Sequence, residues 1–224
     1  MTQDNLLLAK RKEMQGKMIF KLIGKMRKGG FQQLKMEEIA GLMDVSRATL
    51  YKYFSNKEEV MTRITDGLTE YVESMLQTDQ DFYNGFQQIF EQNVSIALLI
   101  TDDFLRELQK ISPDLYFQLV TALSKRNEVL KRFYEKGMKQ SIFNQLNPAM
   151  ILLQNQLFQT LFDPEYLVTQ QLTIENALRN FYQLQKMQLF QPSYLTNIDE
   201  AQMEPKFDYL TKKIATIIYT HQSN

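Results

Sequence analysis

Residues 36–60, MEEIAGLMDVSRATLYKYFSNKEEV, decide how this chain folds. Apolar residues at helical spacing run from Met36 to Met43 and meet a tight turn at Asp44-Val45-Ser46. A second short segment of helical spacing follows and carries side chains suited to phosphates and base edges: Arg47, Thr49, Tyr51, Lys52 and Tyr53. Two short helices joined by such a turn form a helix-turn-helix, which indicates double-stranded DNA as a partner.

The same stretch resembles the TetR (tetracycline-repressor-like) family of bacterial transcription regulators. The family's recognition helix ends in a run of the form T-L-Y-x-Y/H-F, followed by x-x-K-E-x-L. Here the chain reads TLYKYF over residues 49–54 and SNKEEV over residues 55–60. Two positions depart from the family pattern, since Asp44 stands where a glycine is usual and Lys35 where a threonine or serine is usual. Both departures leave the fold intact and put the operator sequence in doubt.

Each side chain of the second segment has a function that it can serve on DNA. Arg47 is the candidate for direct readout, because a guanidinium can bind guanine O6 and N7 as a fork. Ala48 and Thr49 are small enough to touch a thymine methyl, and Ser46 is placed to cap the helix. The resemblance implies phosphate or base contacts from Thr49, Tyr51 and Tyr53 and a phosphate anchor at Lys57. The predicted DNA-binding set is Lys35, Ser46, Arg47, Ala48, Thr49, Tyr51, Lys52, Tyr53 and Lys57.

Composition and charge agree with a DNA-facing head on a separate body. Residues 1–63 hold 13 Lys and Arg against 7 Asp and Glu, a net charge of +6, and residues 64–224 carry −6. A cationic head gains from counterion release at phosphates. The 44% apolar content indicates a packed protein, and no apolar run approaches the roughly 18 residues of a membrane helix. The first residues form no secretory signal, so we expect a cytoplasmic protein.

The apolar spacing is helical almost throughout, which predicts an all-α fold. We expect a three-helix helix-turn-helix head at residues 1–60 and a larger helical domain for dimerisation and effector binding at 61–224. Gly29-Gly30 should end a first helix near residues 10–28. Ser112-Pro113 and Asn147-Pro148 signal later helix starts. The predicted later helices cover about 57–75, 82–98, 102–110, 113–139, 147–162, 173–190 and 206–219.

The resemblance implies a homodimer that binds a pseudo-palindromic operator, with repression as the family default. The family dimerises through its last two major helices, here about 147–162 and 173–190. Candidate interface residues are Leu153, Leu157, Phe158, Leu161, Leu178, Phe181, Tyr182 and Met187. The alternative for each is a place in the core of one protomer.

The resemblance also implies a pocket for a small-molecule effector among the helices after the head. Aromatic residues that can line it for a lipophilic ligand are Phe82, Tyr83, Phe86, Phe90, Phe104, Tyr116 and Phe117. Aromatic stripes at helical spacing are also what an ordinary core shows. Asp102, Asp103 and Glu107 can pair with a cationic ligand or form a solvated face.

The sequence shows no constellation for catalysis. It has no cysteine, one histidine at position 221, no glycine-rich phosphate loop and no spacing of metal ligands. We therefore expect no enzyme activity, no cofactor and no metal. The rival hypothesis is a helical protein-interaction module whose helix-turn-helix does not bind specific DNA.

Overall fold

The computed structural model describes residues 14, 18, 19, 21, 22, 26, 30–75 and 81–219. These residues are mainly helical and form no β-strand, the one extended pairing being an isolated bridge between Phe143 and Phe190. The predicted all-α fold is confirmed. The predicted first helix lies partly outside the described residues, and His221 lies wholly outside them. The described positions of that helix are helical, and Gly30 after it has a φ of 90°, the left-handed conformation expected of a glycine there.

Eleven helices are bounded in the described part of the chain. They are α1 Met36–Leu42, α2 Arg47–Tyr53, α3 Lys57–Ser74, α4 Phe82–Leu99, α5 Asp102–Ile111, α6 Pro113–Lys139, α7 Pro148–Leu153, α8 Leu157–Leu161, α9 Pro164–Thr169, α10 Ile174–Leu189 and α11 Glu204–Tyr219. Short 3-10 turns occupy Phe31–Gln33, Gln154–Gln156, Pro192–Asn197 and Glu200–Gln202.

Side-chain caps fix where these helices begin. The Thr101 hydroxyl accepts a hydrogen bond from the Phe104 N–H, and the Thr173 hydroxyl accepts one from the Asn176 N–H. The Asn147 side chain accepts from the Ala149 N–H, directly before a proline at the first helical position. Each cap satisfies a backbone donor that the first turn of a helix leaves without an intrahelical partner.

The helix predicted over 147–162 is broken in the structure. It runs as α7, a 3-10 turn at Gln154–Gln156, and α8. Inside the turn, the Asn155 side chain accepts a 2.9 Å hydrogen bond from Asn93, and the Gln154 amide donates to Gln188 at 2.7 Å. These tertiary hydrogen bonds accompany the change of helix type. The Asp163 side chain accepts hydrogen bonds from the Glu165 and Tyr166 N–H groups and so caps the start of α9. This short helix follows the position at which the predicted 147–162 helix was expected to end.

The chain divides into two compact units. The first comprises Met1–Tyr71 with Leu99–Thr121, and the second comprises Val72–Leu98 with Ala122–Asn224. These units are defined by packing. The predicted domains 1–60 and 61–224 were defined by expected function, and they stay a prediction.

The first unit packs the helix-turn-helix on an apolar core. Its fully buried side chains include Leu22, Phe31, Ile39, Leu50 and Phe54. Burying a large apolar side chain stabilises the folded state by about 1.5–3 kcal/mol. This core holds α1 and α2 in a constant geometry.

The second unit is centred on aromatic rings. Ring centroids lie 4.8 Å apart for Phe158 and Phe181 and 4.9 Å apart for Phe143 and Phe190, both edge to face. Phe90 contacts Tyr182 at 5.1 Å in the same geometry. Edge-to-face pairs are favoured by the ring quadrupole, so these contacts align α4, α8 and α10 with the segment around Phe143.

Candidate DNA-binding surface and ligand cavity

The turn between α1 and α2 has the geometry that a helix-turn-helix needs. Asp44 adopts a φ of 57°, the left-handed conformation that aspartate tolerates better than most residues. The Ser46 hydroxyl accepts a 3.0 Å hydrogen bond from the Thr49 N–H, which confirms the predicted cap of α2. The departure at Asp44 therefore leaves the turn intact.

Helix α2 presents one apolar and one polar face. Leu50 on the helix and Phe54 directly after it are completely buried. The exposed side chains are Arg47, Ala48, Tyr51 and Lys52, while Thr49 and Tyr53 are half-buried. Four of the nine predicted DNA-binding residues thus lie exposed on one short helix. Their contact with DNA stays a prediction.

Arg47 is held by two neighbours in the same unit. Its Nη1 lies 2.7 Å from a carboxylate oxygen of Glu37, and its guanidinium carbon lies 5.5 Å from the centre of the Tyr51 ring. Sequence reasoning missed Glu37, although its place in the first turn of α1 brings it close to the start of α2. The ion pair orients the guanidinium at the N-terminus of α2, where a helix-turn-helix contacts bases.

Lys57 has a structural role that the sequence did not suggest. Its ammonium donates to the backbone carbonyl of Gln32 at 2.6 Å and to that of Leu34 at 3.3 Å. The Gln32 N–H in turn donates to a carboxylate oxygen of Glu107 at 2.9 Å. Lys57 therefore ties the start of α3 to the turn before α1. Lys35 is exposed, and its backbone N–H donates to Glu38 at 2.7 Å.

The predicted ligand-binding residues fall in different places. Phe104, Tyr116 and Phe117 belong to the first unit, where Phe104 is buried and Phe117 is exposed. Phe82 and Tyr83 are half-buried in the second unit and contact Phe143 and Phe190. Only Phe86 and Phe90 of the predicted set line the cavity described next.

The second unit encloses a cavity of about 340 Å³, counting the space at its mouth. Its apolar lining consists of Phe86, Ile89, Phe90, Leu146, Ile151 and Leu189. Its polar lining consists of Asn93, Tyr134, Gln154, Gln185 and Gln188. Sequence reasoning missed the glutamines, because alternating glutamines on an amphipathic helix read as solvated positions.

The polar lining is made of neutral groups. Burial raises the pKa of Tyr134 to about 12, so its hydroxyl keeps its proton near neutral pH. Gln185 is 9% exposed. Such a site can donate and accept hydrogen bonds without carrying charge.

The predicted interface residues divide into two groups. Phe158, Leu178, Phe181 and Tyr182 are buried in the core of the second unit. Large exposed side chains remain at Leu153, Leu157 and Met187, and two more that were not predicted lie at Met150 and Leu184. Leu161 is half-buried. The exposed members lie on α7, α8 and α10.

Among the described residues, no three His, Cys, Asp or Glu side chains form a group that could hold a metal ion. No helix bounded there has both the length and the apolar character needed to cross a bilayer.

The chain is similar to known proteins in its helix-turn-helix and in its fold. Residues 26–64 match the family model described as bacterial regulatory proteins, tetR family. The chain is 21% identical over 154 residues to YvaF, an uncharacterized HTH-type transcriptional regulator of Bacillus subtilis (strain 168), an alignment covering 65% of this chain and 80% of YvaF.

Solved structures share the fold. AibR in complex with isovaleryl coenzyme A and operator DNA matches with a TM-score of 0.55 and 17% identity, over 78% of this chain and 97% of AibR. The TetR family transcriptional regulator PfmR of Thermus thermophilus matches with a TM-score of 0.52 and 19% identity, over 75% of this chain and 96% of PfmR. At these low sequence identities, the structural similarity shows a shared fold alone.

Proposed function

We propose that this chain, whose residues 26–64 match the family model of bacterial regulatory proteins, tetR family, is a homodimeric transcriptional repressor of that family. It binds a pseudo-palindromic operator and is released by a small, mainly apolar effector. The observation that carries this proposal is the exposed face of α2, which presents Arg47 at its capped N-terminus and Tyr51 and Lys52 in its last turn. A helix of this kind enters the major groove with its N-terminal residues on base edges.

Charge supports the same partner. Residues 1–63 carry a net charge of +6, although the chain as a whole is neutral. Contacts between Lys or Arg and phosphates release counterions, so binding must weaken steeply as salt rises.

The exposed apolar side chains on α7, α8 and α10 support a homodimer. Leu153 and Leu157 are about half exposed, and Leu184 and Met187 are more so. Apolar side chains grouped in this way commonly mark a protein interface. Two copies related by a two-fold axis would present two α2 helices to successive major grooves.

The cavity of the second unit supports an effector. AibR has been solved with both isovaleryl coenzyme A and operator DNA, which shows that this fold accommodates both kinds of partner in that protein. We do not transfer its ligand, because the lining of the cavity here contains no charged side chain to meet the phosphates of a coenzyme A ester.

Selection of bound fragments from a sheared genomic library tests the proposal. Purified protein is expected to recover a short inverted repeat, and Tyr51→Ala is expected to lose it. Tyr209→Ala is the matched control, since Tyr209 is a similarly exposed tyrosine on α11. Recovery of unrelated fragments, or a flat salt dependence of binding, would favour the protein-interaction module instead.

A further inference from the structure

We propose that Lys57 and Glu107 are positioning residues for DNA binding, and that Lys57 acts by fixing the turn before α1 and not by contacting a phosphate. The inference rests on the proposed function, since it concerns how the helix-turn-helix is held against DNA. It replaces the phosphate anchor that the family resemblance implies for Lys57. It also gives a role to Glu107, which lies on α5 outside the helix-turn-helix.

The ammonium group of Lys57 is engaged by the protein itself. It donates hydrogen bonds to the Gln32 carbonyl at 2.6 Å and to the Leu34 carbonyl at 3.3 Å. It also lies 5.8 Å from the centre of the Phe31 ring. The Lys57 side chain is half-buried, whereas Lys52 on α2 is exposed. Two of its three N–H donors are therefore in use, and a phosphate would compete with contacts that the fold already supplies.

Glu107 holds the same turn from α5. One of its carboxylate oxygens accepts a 2.9 Å hydrogen bond from the Gln32 N–H. The other oxygen is enclosed, and no described residue donates a hydrogen bond to it. Removing a carboxylate oxygen from water is unfavourable, so Glu107 is not an ordinary residue of a solvated face. The backbone of Gln32 is thus held at its N–H by Glu107 and at its carbonyl by Lys57.

The turn held in this way leads directly into the helix-turn-helix. Phe31 is completely buried, and its carbonyl accepts a 3.1 Å hydrogen bond from the Leu34 N–H. Helix α1 begins two residues later at Met36, and α2 follows it through the turn at Asp44. A displaced turn would therefore displace both helices. Base readout needs a fixed geometry, so this displacement should cost operator preference more than general attraction to phosphates.

Salt dependence separates a positioning lysine from a phosphate anchor. Loss of a phosphate contact weakens binding to every sequence about equally and lowers the slope of log affinity against log salt by about one. Loss of a positioning contact lowers operator preference and leaves this slope unchanged. Glu107 gives a test of sign, because removing a carboxylate should by charge alone raise affinity for DNA. The positioning role predicts a lower affinity.

Fluorescence anisotropy on the full chain tests both residues. The probes are a duplex carrying the inverted repeat recovered from the genomic library and a scrambled duplex of equal composition, each at several salt concentrations. Lys57→Met and Glu107→Ala should each weaken binding of the repeat about five- to tenfold, the scale of one lost hydrogen bond. Binding of the scrambled duplex and the salt slope should stay unchanged. The double variant should lose less than the two single losses combined, because both residues act on Gln32.

Two matched variants serve as controls. Glu107→Gln keeps an oxygen that can accept from the Gln32 N–H, so its affinity for the repeat should stay close to that of the wild type. Glu70→Ala removes an exposed carboxylate from α3 and should not weaken binding. Hydrogen exchange without DNA should show faster exchange of the Gln32 amide in Glu107→Ala and not in Glu70→Ala. Circular dichroism verifies that each variant is folded at the temperature of the binding measurement.

Either single variant can overturn the inference. Equal losses on both duplexes in Lys57→Met, with a salt slope lower by about one, would make Lys57 a phosphate anchor. Glu107→Ala that bound the repeat as tightly as the wild type would remove the positioning role of Glu107. In both cases the wild type still binds the repeat, so the proposed function stands. A wild type that selected no repeat would instead remove the proposed function, and this inference with it.

Discussion

Gly137 lies where α6 has no room for a side chain. A Cβ built there would lie 2.1 Å from the ring of Phe143, which is completely buried. We expect Gly137→Ala to lower the free energy of unfolding by about 1–3 kcal/mol, because the ring must leave its packed position. Urea denaturation followed by circular dichroism measures this value.

Gly67 provides the matched control within α3. A Cβ there would meet no atom within 4 Å, and the residue is exposed. Gly67→Ala should therefore raise the free energy of unfolding by about 0.5–1 kcal/mol, since alanine is the better helix former. If both substitutions changed stability in the same direction, the packing argument for Gly137 would be wrong.

Glu37 places a negative charge beside the predicted DNA-binding face. Its ion pair with Arg47 competes with any phosphate or base that the guanidinium would bind. We expect Glu37→Gln to raise affinity for duplex DNA severalfold and to reduce discrimination between operator and unrelated sequence. Fluorescence anisotropy at several salt concentrations measures both effects.

The control for Glu37 is Glu70→Gln, which removes one exposed carboxylate from α3. It changes the net charge by the same amount away from Arg47. An equal gain from both variants would mean that overall charge, and not the ion pair, limits DNA binding.

At the scale of elements, Arg179 joins α10 to α11. Its guanidinium makes two hydrogen bonds to the Glu204 carboxylate, at 2.8 and 2.9 Å, and one to Glu175 at 2.8 Å. It also lies 4.6 Å from the centre of the Phe207 ring. This bidentate pairing is the strongest geometry available to an arginine and a carboxylate.

The pairing of Arg179 with Glu204 predicts that the thermal stability of the protein depends on pH. The Arg179 guanidinium, hydrogen-bonded to Glu204, holds the pKa of that carboxyl below its usual range. A group whose pKa falls on folding stabilises the protein above its unfolded pKa, and this contribution is lost as pH falls through the folded pKa. We expect Arg179→Met to lower Tm by about 2–4 °C at pH 7, and the difference from wild type to shrink below about pH 4.

Differential scanning fluorimetry across this pH range measures the effect. Lys212→Met serves as the control, because Lys212 is an exposed cation on α11 outside the pairing. A difference between wild type and Arg179→Met that stayed constant down to pH 3 would assign the stabilisation to packing on Phe207 alone.

Helix starts were readable from the sequence because their signals are local. Asn147-Pro148 predicts the start of α7 from the two residues that form it, and Ser112-Pro113 does the same for α6. The 3-10 turn at Gln154–Gln156 was missed, because it is accompanied by hydrogen bonds from Asn93 and to Gln188, which are distant in sequence.

The same distinction applies to the candidate sites. The exposed face of α2 follows from a short motif, so its members could be predicted. Gln185 could not, since its significance depends on burial beside a cavity that residues from α4, α6, α7 and α10 enclose. Sequence spacing placed it on a helix and gave no indication that its side chain lines a cavity.

At the scale of the whole molecule, the proposed homodimer depends on apolar surface that one protomer leaves exposed. Leu184 and Met187 lie on α10 and are 58% and 65% exposed, and Leu153 and Leu157 are 51% and 49% exposed. The hydrogen bond between Gln154 and Gln188 joins the two regions that carry them. A stable dimer would remove these side chains from water.

The double substitution Leu184→Glu and Met187→Glu should therefore produce a monomer. Four added carboxylates per dimer would face one another at a two-fold interface, where burying like charges is strongly unfavourable. Light scattering after size exclusion should give half the wild-type mass, and affinity for an inverted repeat should fall towards that for a single half-site. Tyr209→Glu, at a residue 55% exposed on α11, should leave the mass unchanged. A double variant that remained dimeric and kept its operator affinity would place the interface on another face, whereas a wild type that was monomeric would remove the two-fold premise itself.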